Sequence, residues 1–377
     1  MNRRTFIKKS MIKSTMVFNA AALLSSCNSS MRNKFMSMTK GYNNKLKNNR
    51  FMTQDAYKIL FYASLAPSGH NSQPWSVKLL SKTKWIIELD NKRVLNVVDY
   101  SNREAMLSLG AFIENLVITA ATLGYNAHIK IIAKNNFDKK IAQVELEKTG
   151  FQDYPLHRII MRRTIKTNMI SRELIDADIK AFEQITGKNI YYFPKNTRHA
   201  LCMQNQAIEN FKIQTENDRA QKELSRWVRF KNSDIEKYQD GITVDSMEIK
   251  GITGWYVKNF MSTRDVLSAN FRNKGIEKTI EQVKQGAGWI VITSSGNLVC
   301  DLIDSGRRFQ RMALIAREKN IAIHPMTQTI EEKHGQESIK ADHNPGMIPQ
   351  FMLRVGYVNK YPDPVSLRRP VSWFVKT

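Results

Sequence analysis

Cysteine is scarce in this chain, histidine nearly so, and no Asp or Glu occurs before Asp55. The three cysteines, Cys27, Cys202 and Cys300, lack metal-ligand spacing, and the seven histidines include no pair set on one helix face. That pattern argues against a metal centre. No Cys-His or His-Asp pair stands out either, which argues against a nucleophilic or proton-relay enzyme of the usual kind. Cys202 and Cys300 each sit in an apolar run, where pairing and a buried free thiol are equally open. What is present is a chain of 377 residues with 42% hydrophobic composition and six Trp, enough for one large or two ordinary folded domains. The net charge of +24 suggests an anionic partner, such as nucleic acid, anionic lipid or a bound phosphate, or more simply a diffusely basic surface. The lysines are scattered, however, and no zinc finger, basic helix or aromatic-basic RNA motif appears, so nucleic acid is not expected.

One stretch organises the rest: Ala66-Pro67-Ser68-Gly69-His70-Asn71-Ser72-Gln73-Pro74-Trp75. Apolar residues at helical spacing, Ala56, Ile59, Leu60, Ala63 and Leu65, lead into it, and Pro67 ends the helix. The segment after it, Trp75 to Leu80, alternates like a strand. A connector offering Ser68, Asn71 and Gln73 is poor at proton chemistry and suited to hydrogen-bonding the edge of a flat polar ring. As a bare pattern it reads equally as an ordinary helix-to-strand turn. The loop closely resembles the Pro-Ser-x-x-Asn-x-Gln-Pro-Trp signature of the nitroreductase superfamily of FMN-binding oxidoreductases. The resemblance implies that Pro67, Ser68, Asn71 and Gln73 touch an FMN held mainly by other residues.

The chain opens Asn2-Arg3-Arg4-Thr5-Phe6-Ile7-Lys8, which resembles a twin-arginine export signal. Met16 to Leu24 is apolar but too short to span a bilayer as a helix. It ends Leu24-Ser25-Ser26-Cys27, which resembles a lipobox with Cys27 as the lipidated residue. A basic amphipathic N-terminus on a cytosolic protein is the plainer alternative. On the first reading, residues 1–27 are a signal and residues 28–50 a linker rich in Asn, Lys, Ser and Met. The protein would then be an anchored lipoprotein on the periplasmic side of the inner membrane. Folded cofactor proteins use that route.

Two long helices share one pattern. Arg103 to about Gly124 closes on a glycine C-cap. A second helix carries Asp304-Ser305-Gly306-Arg307-Arg308-Phe309-Gln310, where Gly306 falls on Gly110 and Ala316 on Ala120. Each half runs helix, strand, long helix, strand, so we expect an internal duplication, with halves at 51–155 and 156–377. Nitroreductases are ordinarily homodimers, so a duplicated chain would be a dimer fused into one polypeptide and sufficient as a monomer.

The second half begins with Arg162-Arg163-Thr164-Ile165-Lys166, three cations and a hydroxyl able to surround a phosphate. A bare cluster of this kind is commonly a solvated loop. It resembles the superfamily's Arg-x-Ser/Thr-x-Arg/Lys element, which implies Arg162, Arg163, Thr164 and Lys166 as FMN phosphate ligands. The turn His324-Pro325-Met326-Thr327-Gln328 resembles the one that sets a backbone N–H against the flavin, with Thr327 or Gln328 in that place but without the usual Glu-Gly. Ser366-Leu367-Arg368-Arg369-Pro370 resembles the C-terminal arginine element, implying Arg368 as a further phosphate ligand. Arg103 is a candidate for the flavin's N1–O2 edge, and also a plain helix-start arginine. The first half lacks a cationic cluster and the second lacks an Asn-bearing loop, so one FMN per chain is expected. Residues 186–285 form a long insert, a lid or a peripheral decoration. With the leader and the fused halves, the insert resembles the Acg-type branch of the superfamily. The fold expected is α+β, antiparallel sheets flanked by long helices. The resemblance implies electron transfer from NAD(P)H through FMN to a small aromatic acceptor such as a quinone or nitroaromatic. A flavin-sequestering protein with a closed lid needs the same pocket.

Overall fold

The computed structural model describes Arg32 and residues 49–376, apart from 188 and 344–347. The leader, with Arg3, Arg4 and Cys27, lies outside the described residues. The first helix, α1 (Gln54–Ala63), starts where the Thr53 hydroxyl accepts from the Ala56 N–H. Strands β1 (Trp75–Leu79) and β2 (Lys84–Leu89) pair antiparallel from Trp75 opposite Leu89 to Leu79 opposite Trp85. Their apolar side chains are buried, with Trp75 and Trp85 fully enclosed. Helix α2 (Arg103–Thr122) follows, and then β3 (Tyr125–Ile131) and β4 (Lys140–Lys148), which pair with each other. α2 has the length and apolarity of a membrane span, but most of it is inside the protein core.

The second half contributes β5 (Ile190–Pro194), then the insert helices α3 (Arg198–Glu216), α4 (Asp218–Trp227), α5 (Gly251–Phe260) and α6 (Ala269–Val283). Strand β6 (Gly288–Ser294), the long helix α7 (Val299–Glu318) and β7 (Ile321–Pro325) come next, then the short helix α8 (Gln328–Glu331) and β8 (Ile348–Tyr357). A final two-residue strand, β9 (Val375–Lys376), ends the described chain. Among the described residues there is a five-stranded sheet in the order β9-β1-β2-β4-β3 and a four-stranded sheet in the order β5-β6-β8-β7. The fold is therefore α+β with antiparallel-rich sheets, as expected. Within the five-stranded sheet one pairing departs from that pattern: β9 runs parallel to β1, Val375 opposite Val77.

The two long helices meet backbone to backbone. A methyl group added at Gly110 would lie 2.1 Å from the Ile303 carbonyl, and one at Gly306 would lie 2.0 Å from the Leu107 carbonyl. The contact is reciprocal, because Ile303 and Gly306 stand in α7 as Leu107 and Gly110 stand in α2. The same reciprocity recurs along the helices. Gln310 donates to Asn115 Oδ1 at 2.8 Å, and Arg311 pairs with Glu114 at 2.9 Å. Self-complementarity of this type is the mark of a two-fold contact.

The sequence from Arg172 to Ile185 reads as helix-like, but the helix there is Asp176–Thr186. The Leu174 and Ile175 N–H groups donate instead to the hydroxyls of Tyr192 and Tyr357, so a first turn there is unnecessary. Cys202 is half-buried and Cys300 exposed, and no disulfide joins them, in place of the pair or the buried thiols anticipated.

Candidate functional site

The 68–73 loop owes its shape to three consecutive demands on its backbone. Ser68 Oγ accepts from the Gln73 N–H at 2.9 Å, and His70, Asn71 and Gln73 all take positive φ. Asn tolerates that conformation best among residues with side chains. Asn71 then reaches the end of the chain. Its Nδ2 donates to the carbonyls of Gly241 and Leu367, both at 3.2 Å, and its Oδ1 accepts from Arg368 at 2.8 Å. Gln73 is fully buried, donating to the Gln239 carbonyl and accepting from the Arg369 N–H. Both amides are thus occupied by protein partners, and the loop's amides act here by holding Arg368 and Arg369 in place.

Arg368 carries the loop into a second cluster. A small cleft of about 10 Å³ is lined by Arg32, Arg162, Arg163, Ser366 and Arg368, with Leu65 and Ile159 on its apolar side. The Nε groups of Arg162, Arg163 and Arg368 are buried without a partner. Burial pushes the pKa of Arg162 and Arg368 down, and Arg162 adds to the effect on Arg368. Buried cations with idle donors around one cleft fit a multiply charged oxyanion. Arg32 had no signal in the sequence, being one scattered cation in the stretch read as a linker. It donates to the carbonyls of Ser366 and Ile160 and is nearly buried.

Lys166 extends the cluster toward the loop. Burial lowers its pKa, Glu248 opposes that, and its charge bears on both His70 and His324. Burial pushes the His70 imidazolium down to about 4, with Glu104 opposing and Lys166 reinforcing the fall, and its Nδ1 has no partner. Thr164 is half-buried within the cluster.

A third group of side chains lies at the start of α2. Arg103 donates to the Gln350 carbonyl at 2.7 Å and keeps one buried NH2 group idle. Next to it, Glu104 accepts from Thr327 Oγ at 2.6 Å, while Thr327 Oγ lies 3.0 Å from Glu331. Burial, then the charge of Glu104, pushes Glu331 well above the usual carboxyl range. Burial acts to raise Glu104 too, but hydrogen bonds from Glu331 and Thr327 and the charge of Arg103 hold it below its ordinary value. Sequence reasoning found no such acid pair, because its two carboxyls lie far apart in the chain. Gln328 is turned away and donates to the Ala207 carbonyl.

Residues 240–248 of the insert bond to several of these groups. Gly241 N–H donates to the Asn71 carbonyl at 3.2 Å, and Arg93 donates to both the Ser72 carbonyl and Asp240. Glu248, held at φ 60°, pairs with Arg163 at 3.1 Å and accepts from Thr167 at 2.6 Å. The insert has a small core of its own around Val228, Phe230, Val244, Val257 and Val266.

No family model matches the chain. Among curated proteins it is 23% identical over 327 residues to a Mycobacterium tuberculosis protein named as NAD(P)H nitroreductase acg, covering 82% of this chain and 92% of that one. Over most of its length the chain is thus similar to an Acg-type nitroreductase. A second M. tuberculosis protein, named only as uncharacterised, is 29% identical over 117 residues, 27% of this chain and 32% of its own length. Solved structures similar to it include a nitroreductase-like family protein from Bacillus cereus, with a TM-score of 0.36, 10% identity, and 60% and 98% of the two chains covered. Another is the FMN-dependent nitroreductase NfnB from Mycobacterium smegmatis in complex with NADPH, with a TM-score of 0.35, 12% identity, and 59% and 96% covered.

Proposed function

We propose that this chain is an FMN-binding oxidoreductase that moves electrons from NAD(P)H to a quinone or nitroaromatic acceptor. The observation that carries the reading is the Asn71–Arg368 bond, which joins the amide loop to a cleft whose arginines keep unpartnered buried Nε donors. FMN fits that donor set: its phosphate needs several cations, and Arg32, Arg162, Arg163, Lys166 and Arg368 are the residues to hold it. When bound, FMN supplies hydride chemistry that no side chain here provides. The protein's part is to orient and to polarise. The idle Arg103 NH2 offers a donor for a ring edge that gains negative charge. Thr327, linked to Glu104 and Glu331, keeps one shared proton near the same place.

In this reading the halves are two copies of one unit folded as an intrachain pair, and a monomer suffices. The reciprocal Gly110–Gly306 crossing supports it. Residues 186–285 act as the lid, and the N-terminal segment exports the protein and anchors it to the periplasmic side of the membrane through Cys27.

A second reading has support of its own, a flavin store that does not turn over. Its support is the number of bonds by which the insert is tied down, through Gly241, Asp240 and Glu248. The visible spectrum of the purified protein separates these ideas. Flavin bands that bleach with NAD(P)H under anaerobic conditions support the enzyme, and flavin bands that persist support the store. A colourless protein that does not take up added FMN would sink both.

A further inference from the structure

Helix α5 has two apolar faces, of which the protein covers one. Gly254 and Val257 are buried against the insert's core, with Val244 and Val266. Ile252, Trp255, Tyr256 and Phe260 recur at helical spacing on the other side and are 86%, 44%, 55% and 62% exposed. The three aromatic rings form one cluster, with Phe260 centred 5.4 Å from Trp255 and 5.2 Å from Tyr256. A helix apolar all round is ordinarily buried on all sides, and a contiguous exposed patch of this kind marks a contact surface.

We propose that the outer face of α5 docks on the surface of an anionic phospholipid bilayer. Residue type and charge both select that occupant. Trp and Tyr favour the headgroup layer, where the ring is dry and the N–H or O–H is wet, and Phe and Ile fill the acyl boundary beneath it. The helix contains no acid, exposed Lys250 precedes it and exposed Arg264 follows it, and the chain as a whole carries +24. Cations flanking an aromatic face are drawn to anionic lipid. The contact is separate from the N-terminal anchor and independent of any bound flavin.

The test uses the full chain with vesicles of phosphatidylcholine alone or mixed with phosphatidylglycerol. No Trp precedes Trp75, so tryptophan quenching by brominated lipid is blind to the leader. We expect quenching with the anionic vesicles that disappears in Trp255→Phe. Co-flotation with those vesicles should fall at least about tenfold in an Ile252→Ser/Tyr256→Ser/Phe260→Ser variant, whose circular dichroism and melting stay native because the positions are exposed. The proposal is overturned if Trp255 is not quenched, if the triple variant floats as well as the native chain, or if neutral vesicles bind equally well. Sedimentation showing a dimer that shields Trp255 without lipid would overturn it in favour of a second copy.

Discussion

At the scale of single residues, the site is built from side chains that hold other side chains. Asn71 keeps Arg368 aimed, so Asn71→Ala should weaken flavin binding by about tenfold without loss of fold, and Arg162→Ala by about ten- to a hundredfold. Equilibrium dialysis against FMN measures both, and full flavin retention in both variants would refute the assignment. Asp99 offers a test in pH. Burial, then the charge of Glu104, raises it to about 7, against the pull of the Glu104 and Ala105 N–H groups it caps and of Arg103. A raised acid contributes stability present below its unfolded value and lost as pH rises through its folded one. The native protein should therefore lose on the order of 1 kcal/mol between about pH 6 and about pH 8, and Asp99→Asn should flatten that decline in thermal melts. The motif residues were legible because several informative types crowd into a few positions. Arg32, Glu248 and Glu331 were not, since each is an unremarkable charge whose meaning comes from a partner remote in the chain.

Elements explain why the clusters meet. Gly110 and Gly306 let α2 and α7 touch through their backbones, so Gly306→Ala forces apart the centre of the molecule. A loss of at least about 2 kcal/mol, read as an earlier denaturation midpoint, is expected. An unchanged midpoint would mean that the crossing is loose. Helical periodicity made both long helices visible, and it failed at 172–175, where two tyrosine hydroxyls satisfy the backbone instead. The insert was visible only as a length of chain. Its hold on Arg163 rests on one carboxylate, so Glu248→Gln should free residues 239–250 to exchange amide hydrogens faster and let FMN enter sooner. Stopped-flow flavin fluorescence follows the second effect, and identical entry rates in the two proteins would exclude Glu248 as a latch.

At the scale of the whole molecule, the proposed reading of one crossing and one cationic cleft predicts one FMN per chain and a monomer in sedimentation. A flavin-to-protein ratio near two would contradict the asymmetry of the halves. No reading of the sequence anticipated β9, because two residues are too few to show a pattern, yet β9 closes one edge of the first sheet. Arg368 and Arg369 arrive with it, and their guanidinium groups accept no substitute from earlier in the chain as partners for Leu65, Ala66, Gln73 and Trp75 carbonyls. During synthesis, then, the amide loop leaves the ribosome long before the residues that fix it. The amide loop stays without those partners until the chain has been extended through Arg368 and Arg369.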